Sequence, residues 1–207
     1  MTNYRKYFEK VIKANFPKDY REILLTTNEH YKIISMDTAF ALSSANPIDR
    51  RLDFSSYFLS FIKTLDEQGA SFETIRKHCL EVVLDYVRPK NRLQHLLKRL
   101  PVKLINGWLA KFFIAKLAKK VGHAAHPNGF RANIITSKTE TYGLGYGVDI
   151  LECGICKLFK KHHYSNYASI LCEVDEITSS LAGLKLIRTG TIALGAKKCD
   201  FRYQKLG

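Results

Sequence analysis

Apolar side chains in the first 121 residues recur every three or four positions, the spacing that places them on one face of an α-helix. The pattern predicts a succession of helices from Tyr4 onwards. Prolines divide these helices at four positions, because proline ends or interrupts a helix: Pro17, Pro47, Pro89 and Pro101. We therefore expect residues 1–122 to form an all-helical front.

One helical segment, residues 102–121, combines an apolar stripe with many lysines. Leu104, Trp108 and Phe112 run along one side of it, and five lysines surround them. Helices of this composition lie on membrane surfaces. They also occur in ordinary globular proteins, where the stripe packs on a core and the lysines face water. We expect the second arrangement, because the segment lies inside the chain and not at a terminus.

The periodicity changes after residue 122, from helical spacing to the alternation of a β-strand. Residues 130–138 alternate weakly, and residues 142–151 alternate cleanly between apolar side chains and small or polar ones. We expect two neighbouring antiparallel strands here. The second run has a glycine face whose spacing is not that of a dinucleotide-binding loop, and we interpret it as a flat packing surface formed by Gly143, Gly145 and Gly147.

Two helices and two further strands complete the predicted order. Residues 153–162 and 167–180 show helical spacing. Two β-prone runs then flank a predicted hairpin turn at residues 194–197, where Gly195 tolerates a positive φ.

This order of elements predicts an α+β fold, in which helices lie on an antiparallel sheet behind a helical N-terminal half. By analogy, the same order occurs in vinyl-reductase-type domains and in small domains of trafficking complexes. We expect a single domain over residues 1–207, with the helical front over 1–122 and the α+β core over 130–203.

Composition adds a strong positive charge to this picture. The 207 residues carry a formal net charge of +14, which favours anionic partners such as nucleic acid, acidic lipid or a carboxylate substrate. The lysines are scattered over several segments, so specific nucleic-acid binding is not expected. The N-terminus lacks an apolar signal core, and the five cysteines form an odd set, which together predict a cytoplasmic chain with reduced thiols.

Candidate chemistry is concentrated in the last third of the chain. Cys172 and Asp175 are three residues apart on a predicted helix, so their side chains are neighbours. Arg188 shares its strand parity with Leu184 and Leu186, which predicts that it points to the apolar side. An arginine in such a place must be paired, or must line a site that an anion can enter.

Three segments of this region carry a family resemblance. The tail reads Arg188-Thr-Gly-Thr-Ile-Ala-Leu-Gly-Ala-Lys-Lys-Cys199-Asp-Phe-Arg-Tyr, Cys153 precedes a helix containing Leu158-Phe159, and Cys172 lies three residues before Asp175. From about residue 130 to 203 these segments resemble the L-2-amino-thiazoline-4-carboxylic acid hydrolase family. The resemblance implies a hydrolase that opens a C–S or C–N bond of a small heterocycle bearing a carboxylate.

Roles follow as hypotheses from the resemblance and the spacing together. Cys172 or Cys199 is the expected nucleophile, and Cys153 is a further candidate because it begins a helix, whose dipole lowers the pKa of a thiol. Asp175 is expected to act as a base or to orient the substrate. Arg188 is expected to hold the substrate carboxylate, with Thr191 as a polar accessory. No cofactor is expected.

Alternatives remain open at this point. Each cysteine can simply fill space in a core, and Arg188 with Asp175 can form a structural ion pair. Cys153-x-x-Cys156 is half of a zinc pattern, but its second half is neither a Cys-x-x-Cys nor a His pair, so we expect no metal. The alternative function is a non-catalytic ligand-binding or interaction domain, whose basic helices contact an anionic partner or a peripheral membrane surface. The substrate and the oligomeric state stay undetermined.

Overall fold

The computed structural model describes residues 4–105 and 107–206 of the chain. Helices fill the first half, as the periodicity predicts, and 3₁₀ turns cover Ser35–Leu42 and Pro47–Arg50. The α-helices of this half are α1 (Arg5–Asn15), α2 (Tyr20–Ile34), α3 (Arg51–Glu67), α4 (Phe72–Val87), α5 (Arg92–Leu104) and α6 (Trp108–Val121).

The second half contains a four-stranded antiparallel sheet with two helices between its strand pairs. In chain order the elements are β1 (Arg131–Ile135), β2 (Gly147–Glu152), α7 (Gly154–Lys161), α8 (Ala168–Leu181), β3 (Leu184–Ile187) and β4 (Cys199–Lys205). The strands lie in the order β1-β2-β4-β3, and β4 pairs with both of its neighbours antiparallel. The α+β prediction is therefore confirmed.

Helix α3 lies at the centre of the helical half. Eleven of its 17 residues are buried, which is typical of a helix surrounded by protein on most of its circumference. Phe58 and Phe61 of α3 join Phe8 of α1 and Phe159 of α7 in one core cluster. A second cluster lies between the sheet and the start of α3, and it includes Cys199. The site described below lies where these two clusters meet.

The strand predicted over residues 142–151 is wrong in its first half. Tyr142, Gly143 and Gly145 have φ angles of 50°, 79° and 73°, so this part of the chain turns and β2 begins only at Gly147. The hydroxyl of Thr141 accepts a hydrogen bond of 2.9 Å from the N–H of Gly145 and holds the turn. The glycines at 143 and 145 therefore serve a turn and not a flat face.

The hairpin predicted around residues 194–197 is confirmed in the antiparallel pairing of β3 with β4 and in the positive φ of Gly195, which is 90°, but the connection between the strands is longer than predicted. Residues 188–198 separate β3 from β4, and the 3₁₀ turn Ile192–Leu194 lies within this loop. The carboxylate of Asp200 accepts hydrogen bonds from the backbone N–H groups of Thr189 and Gly190, which fixes the start of the loop. The side chain of Asp200 thus supports the loop, in addition to the local turn that ends at Gly195.

The basic segment differs from its prediction in two respects. It forms two helices, since α5 continues through Pro101 to Leu104 and α6 begins at Trp108. Its aromatic stripe does not pack on the core, because the side chains of Trp108 and Phe112 are 77% and 61% exposed. The buried end of α6 is instead Val121, and α6 packs along β1.

Candidate active site

A cavity of about 380 Å³ lies between α3, α4, α7, α8 and the sheet. Four of the five cysteines line it: Cys153, Cys156, Cys172 and Cys199. The fifth, Cys79, is buried in the helical core. Most of the wall is apolar, with Phe54, Ile150 and Phe201 among its residues, and Asp175 and Arg51 supply charged groups. This sulfur-lined space, the sulfur cavity, is the candidate active site.

Local structure explains how the sulfur atoms converge. Cys153 follows β2 and caps the N-terminus of α7, while Cys199 is the first residue of β4. Cys199 pairs with Ile150 of β2, and Cys153 follows the last residue of the same strand, so the two cysteines reach the cavity from neighbouring positions at the sheet. Cys172 and Asp175 lie one turn apart on α8, as their spacing predicts. The structure therefore brings Cys153, Cys172, Cys199 and Asp175 to one space.

Asp175 lies between two guanidinium groups. Its Oδ1 is 3.6 Å from Nη1 of Arg51, and its Oδ2 is 3.5 Å from Nη1 of Arg188. These distances are longer than those of charge-assisted hydrogen bonds, so the carboxylate is paired without being tightly held. Burial raises the pKa of the Asp175 carboxyl above its ordinary value, against the opposing effect of Arg51 and Arg188.

The side chain of Arg188 is less exposed than those of Asp175 and Arg51. Its side chain is 11% exposed, its Nη2 donates a hydrogen bond of 3.3 Å to the carbonyl of Cys172, and its guanidinium lies 5.2 Å from the ring centre of Phe201. Within the described residues, Nη1 of Arg188 and Oγ1 of Thr191 are buried without a hydrogen-bond partner. Neither residue belongs to the lining of the sulfur cavity; both lie beside it.

The four cavity thiols differ in how readily they ionise. The neighbouring thiol of Cys156 is the main cause that lowers the pKa of Cys153, and the backbone N–H groups at the start of α7 act in the same direction. The same proximity raises the pKa of Cys156.

The other two thiols are held in the neutral form. Burial raises the pKa of Cys172 to about 11, and the negative charge of Asp175 adds to this effect. Burial also raises the pKa of Cys199, whose sulfur accepts a hydrogen bond of 3.2 Å from the N–H of Ile192. Cys153 is therefore the cavity thiol that ionises most easily.

The family model for L-2-amino-thiazoline-4-carboxylic acid hydrolase matches residues 50–203, about three quarters of the chain. The chain belongs to this family. Searches of curated proteins and of solved structures found no match.

The family match covers more of the chain than the three segments on which the sequence resemblance depended. The match begins at residue 50 and not at about 130, so the hydrolase family unit includes helices α3 to α6. Sequence reasoning also missed Arg51, which stands in the first turn of α3 and contacts Asp175 across the sulfur cavity. No local signal marks it, because an arginine at a helix start is ordinary and its partner is 124 residues away in this hydrolase-family chain.

Metal binding has no evident site in the described part of the chain. Among residues 4–105 and 107–206, no group of three or more His, Cys, Asp or Glu side chains is arranged to hold a metal ion. Two histidines of this half of the chain are engaged in other contacts: His126 stacks on Phe40 with ring centres 3.7 Å apart, and His162 pairs with Asp37 at 3.0 Å.

Proposed function

We propose that this protein is a thiol-dependent hydrolase, which opens a C–S or C–N bond of a small heterocycle carrying a carboxylate. Membership of the L-2-amino-thiazoline-4-carboxylic acid hydrolase family supports a hydrolase-like relationship. The observation that carries the proposal is the convergence of an easily ionised thiol, Cys153, and a buried carboxyl, Asp175, in one cavity of about 380 Å³.

Cys153 is the nucleophile in this proposal, in preference to Cys172 and Cys199. The thiolate is the reactive form of cysteine, and among these three only Cys153 has a lowered pKa. The neighbouring thiol of Cys156 favours the thiolate form of Cys153. Cys172 and Cys199 then shape the cavity wall, and either becomes the candidate if Cys153 is dispensable.

The substrate carboxylate is held by the guanidinium groups around Asp175. Arg51 lines the sulfur cavity and its side chain is 64% exposed, so it can move toward a ligand. Arg188 lies beside the cavity, and its buried Nη1 forms no hydrogen bond within the described residues, although it is paired with Asp175 at 3.5 Å. Arginine binds a carboxylate with two parallel hydrogen bonds, which fixes the orientation of the ring. Asp175, whose pKa is raised by burial, is suited to exchange protons with the ring heteroatoms.

For a 2-aminothiazoline ring the proposed steps balance as follows. The Cys153 thiolate adds to the amidine carbon, and the ring C–S bond breaks as the ring sulfur leaves with a proton from Asp175. Water then adds to the same carbon and gives a proton to the Asp175 carboxylate. The carbon–sulfur bond to Cys153 breaks, which returns the thiolate and releases a carbamoyl product bearing a free thiol. One water is consumed for each ring opened.

The test is turnover of L-2-amino-thiazoline-4-carboxylate by the purified full chain. We expect steady release of product thiol, and a loss of at least about a hundredfold in kcat for Cys153→Ser. Cys79→Ala is the matched control, because it removes a buried thiol outside the sulfur cavity and should keep activity. Carbamoyl product without a new thiol would indicate C–N opening.

Two results would overturn the proposal. Full activity in Cys153→Ser would remove the nucleophile from it. Saturable binding of the heterocycle with no turnover by the intact chain would favour the non-catalytic ligand-binding alternative.

A further inference from the structure

Helix α5 is an amphipathic helix whose apolar stripe faces outward. None of its residues is buried. The leucines recur at the spacing that normally faces a protein core, yet each is between 45% and 64% exposed: Leu93, Leu96, Leu97, Leu100 and Leu104. Within the described residues nothing covers this stripe, so its regular pattern has no explanation in the packing of the chain itself.

Helix α6 continues the exposed surface with aromatic residues. Trp108 and Phe112 are one turn apart, as are Leu109 and Phe113, and all four are more than half exposed. The next turns of the same side carry Lys116, Lys119 and Lys120 in place of apolar residues. The exposed surface of α5 and α6, here called the α5–α6 surface, is therefore apolar and aromatic with cationic borders. Its Trp108, Leu109 and Phe113 also form one wall of an open apolar groove against α8 and β4.

The charge of this region is of one sign. No acidic residue occurs between Asp85 and Glu140, whereas ten cations lie at positions 88–120: Arg88, Lys90, Arg92, Lys98, Arg99, Lys103, Lys111, Lys116, Lys119 and Lys120. Among the described residues none of these ten forms an ion pair. Ten of the 33 Lys and Arg residues thus lie in or next to α5 and α6, in a stretch of the sequence that contains no acidic residue.

We propose that the α5–α6 surface docks the protein on an anionic lipid surface. The leucines and aromatic rings enter the boundary between headgroups and acyl chains, while the lysines and arginines contact acidic headgroups. The two helices have 13 and 14 residues, and within the described residues no helix is long and apolar enough to cross a bilayer. The pair therefore lies in the plane of the membrane surface.

Other occupants fit the surface less well. A second copy of the chain would bring two clusters of ten cations together, and like charges repel. A nucleic acid would neutralise the lysines but leave the leucine stripe in water. An acidic protein could satisfy both features, but flanking lysines around an apolar, tryptophan-bearing stripe are typical of helices at the lipid interface.

Trp108 gives a direct readout, because it is the single tryptophan of the chain and its side chain is 77% exposed. The full chain is mixed with neutral phosphatidylcholine vesicles or with vesicles containing about one third phosphatidylserine. We expect co-flotation with the anionic vesicles alone, with a shift of Trp108 emission to shorter wavelength and quenching by brominated acyl chains.

Variants separate the apolar and cationic contributions. Phe112→Ser/Phe113→Ser should abolish the emission shift, because it removes two exposed rings that insert. Replacing Lys116, Lys119 and Lys120 by Glu should weaken vesicle binding at least about a hundredfold, since each cation near the surface contributes about fivefold. The matched controls remove equally exposed groups elsewhere: Leu25→Ser, and Glu replacements of Lys32, Lys160 and Lys197.

Each other outcome would overturn the proposal. Absence of binding to anionic vesicles would do so outright. Binding that is unaffected by Phe112→Ser/Phe113→Ser and shows no emission shift would reduce the surface to a charge effect. Binding to poly-glutamate or duplex DNA but not to vesicles would assign the surface to an acidic protein or a nucleic acid.

Discussion

The ion pair of Arg188 with Asp175 distinguishes between structural and ligand-binding interpretations of the site, and its removal has a calculable cost. At 3.5 Å and an effective dielectric constant of 20, the attraction is about 5 kcal/mol before desolvation is subtracted. Arg188 is 11% exposed, so its burial carries a desolvation cost. The substitution removes this cost together with the attraction, which reduces the net loss of stability. We expect Arg188→Leu to lower the free energy of unfolding by about 2–3 kcal/mol at pH 7.

The matched control is Arg51→Leu, which removes the other guanidinium beside Asp175. Its Nη1 is 3.6 Å from Oδ1, nearly the same distance, but its side chain is 64% exposed and solvent screens the pair. The expected cost is therefore below about 1 kcal/mol. Urea unfolding monitored by circular dichroism measures both variants, and Asp175→Asn completes a double-mutant cycle for the coupling of Arg188 with Asp175.

The cost should depend on pH in a stated direction. The pKa of Asp175 is higher in the folded protein than in the unfolded chain. At a pH between these two pKa values, the folded state therefore binds more protons than the unfolded state, and the free energy of unfolding falls as the pH rises. Removing Arg188 raises the pKa further, so Arg188→Leu should lose least stability at acidic pH and most at pH 7. Equal costs for Arg188→Leu and Arg51→Leu, or a cost independent of pH, would refute the reasoning.

Two further predictions concern single groups. Cys156→Ala removes the neighbouring thiol that lowers the pKa of Cys153 and should move the pH midpoint of Cys153 alkylation, followed by peptide mass spectrometry, upward; an unchanged midpoint would show that Cys156 does not act on Cys153. Asp200→Ala leaves the N–H groups of Thr189 and Gly190 without their acceptor and should cost about 1–3 kcal/mol in thermal unfolding, whereas a variant as stable as the parent would show that the loop needs no such support.

The order of elements could be predicted from the sequence because hydrophobic periodicity changes sharply after residue 122, from helical spacing to alternation. The proximity of the Cys172 and Asp175 side chains could also be predicted, since residues three positions apart on a helix lie on the same face. Strand parity also predicted that Arg188 points to the apolar side, where it pairs with Asp175 in the structure. Arg188 itself lies just after β3 and not within the strand.

Features that depend on distant partners could not be predicted. The turn at Tyr142 needs positive φ angles, and the apolar alternation there gives no sign of them. The contact of Arg51 with Asp175 and the support of the β3–β4 loop by Asp200 arise only when separate elements pack together. The outward orientation of α5 was hidden because a leucine stripe looks the same on a core-facing helix and on an interfacial one.

Cations lie both at the sulfur cavity and at α5 and α6, and their positions indicate which partner each region binds. Arg51 lines the sulfur cavity, and Arg188 lies beside it, whereas ten cations lie in or next to α5 and α6. A substrate carboxylate therefore engages few of the cations, whereas ten of the 33 Lys and Arg residues lie at the α5–α6 surface. The two regions are nevertheless adjacent, because Thr178 of α8 lines both the sulfur cavity and an apolar groove of about 840 Å³ whose other wall includes Trp108 and Phe113 of the α5–α6 surface. Helix α8 carries Cys172 and Asp175 on the same wall, so docking through α5–α6 would place the candidate active site one helix away from the lipid surface.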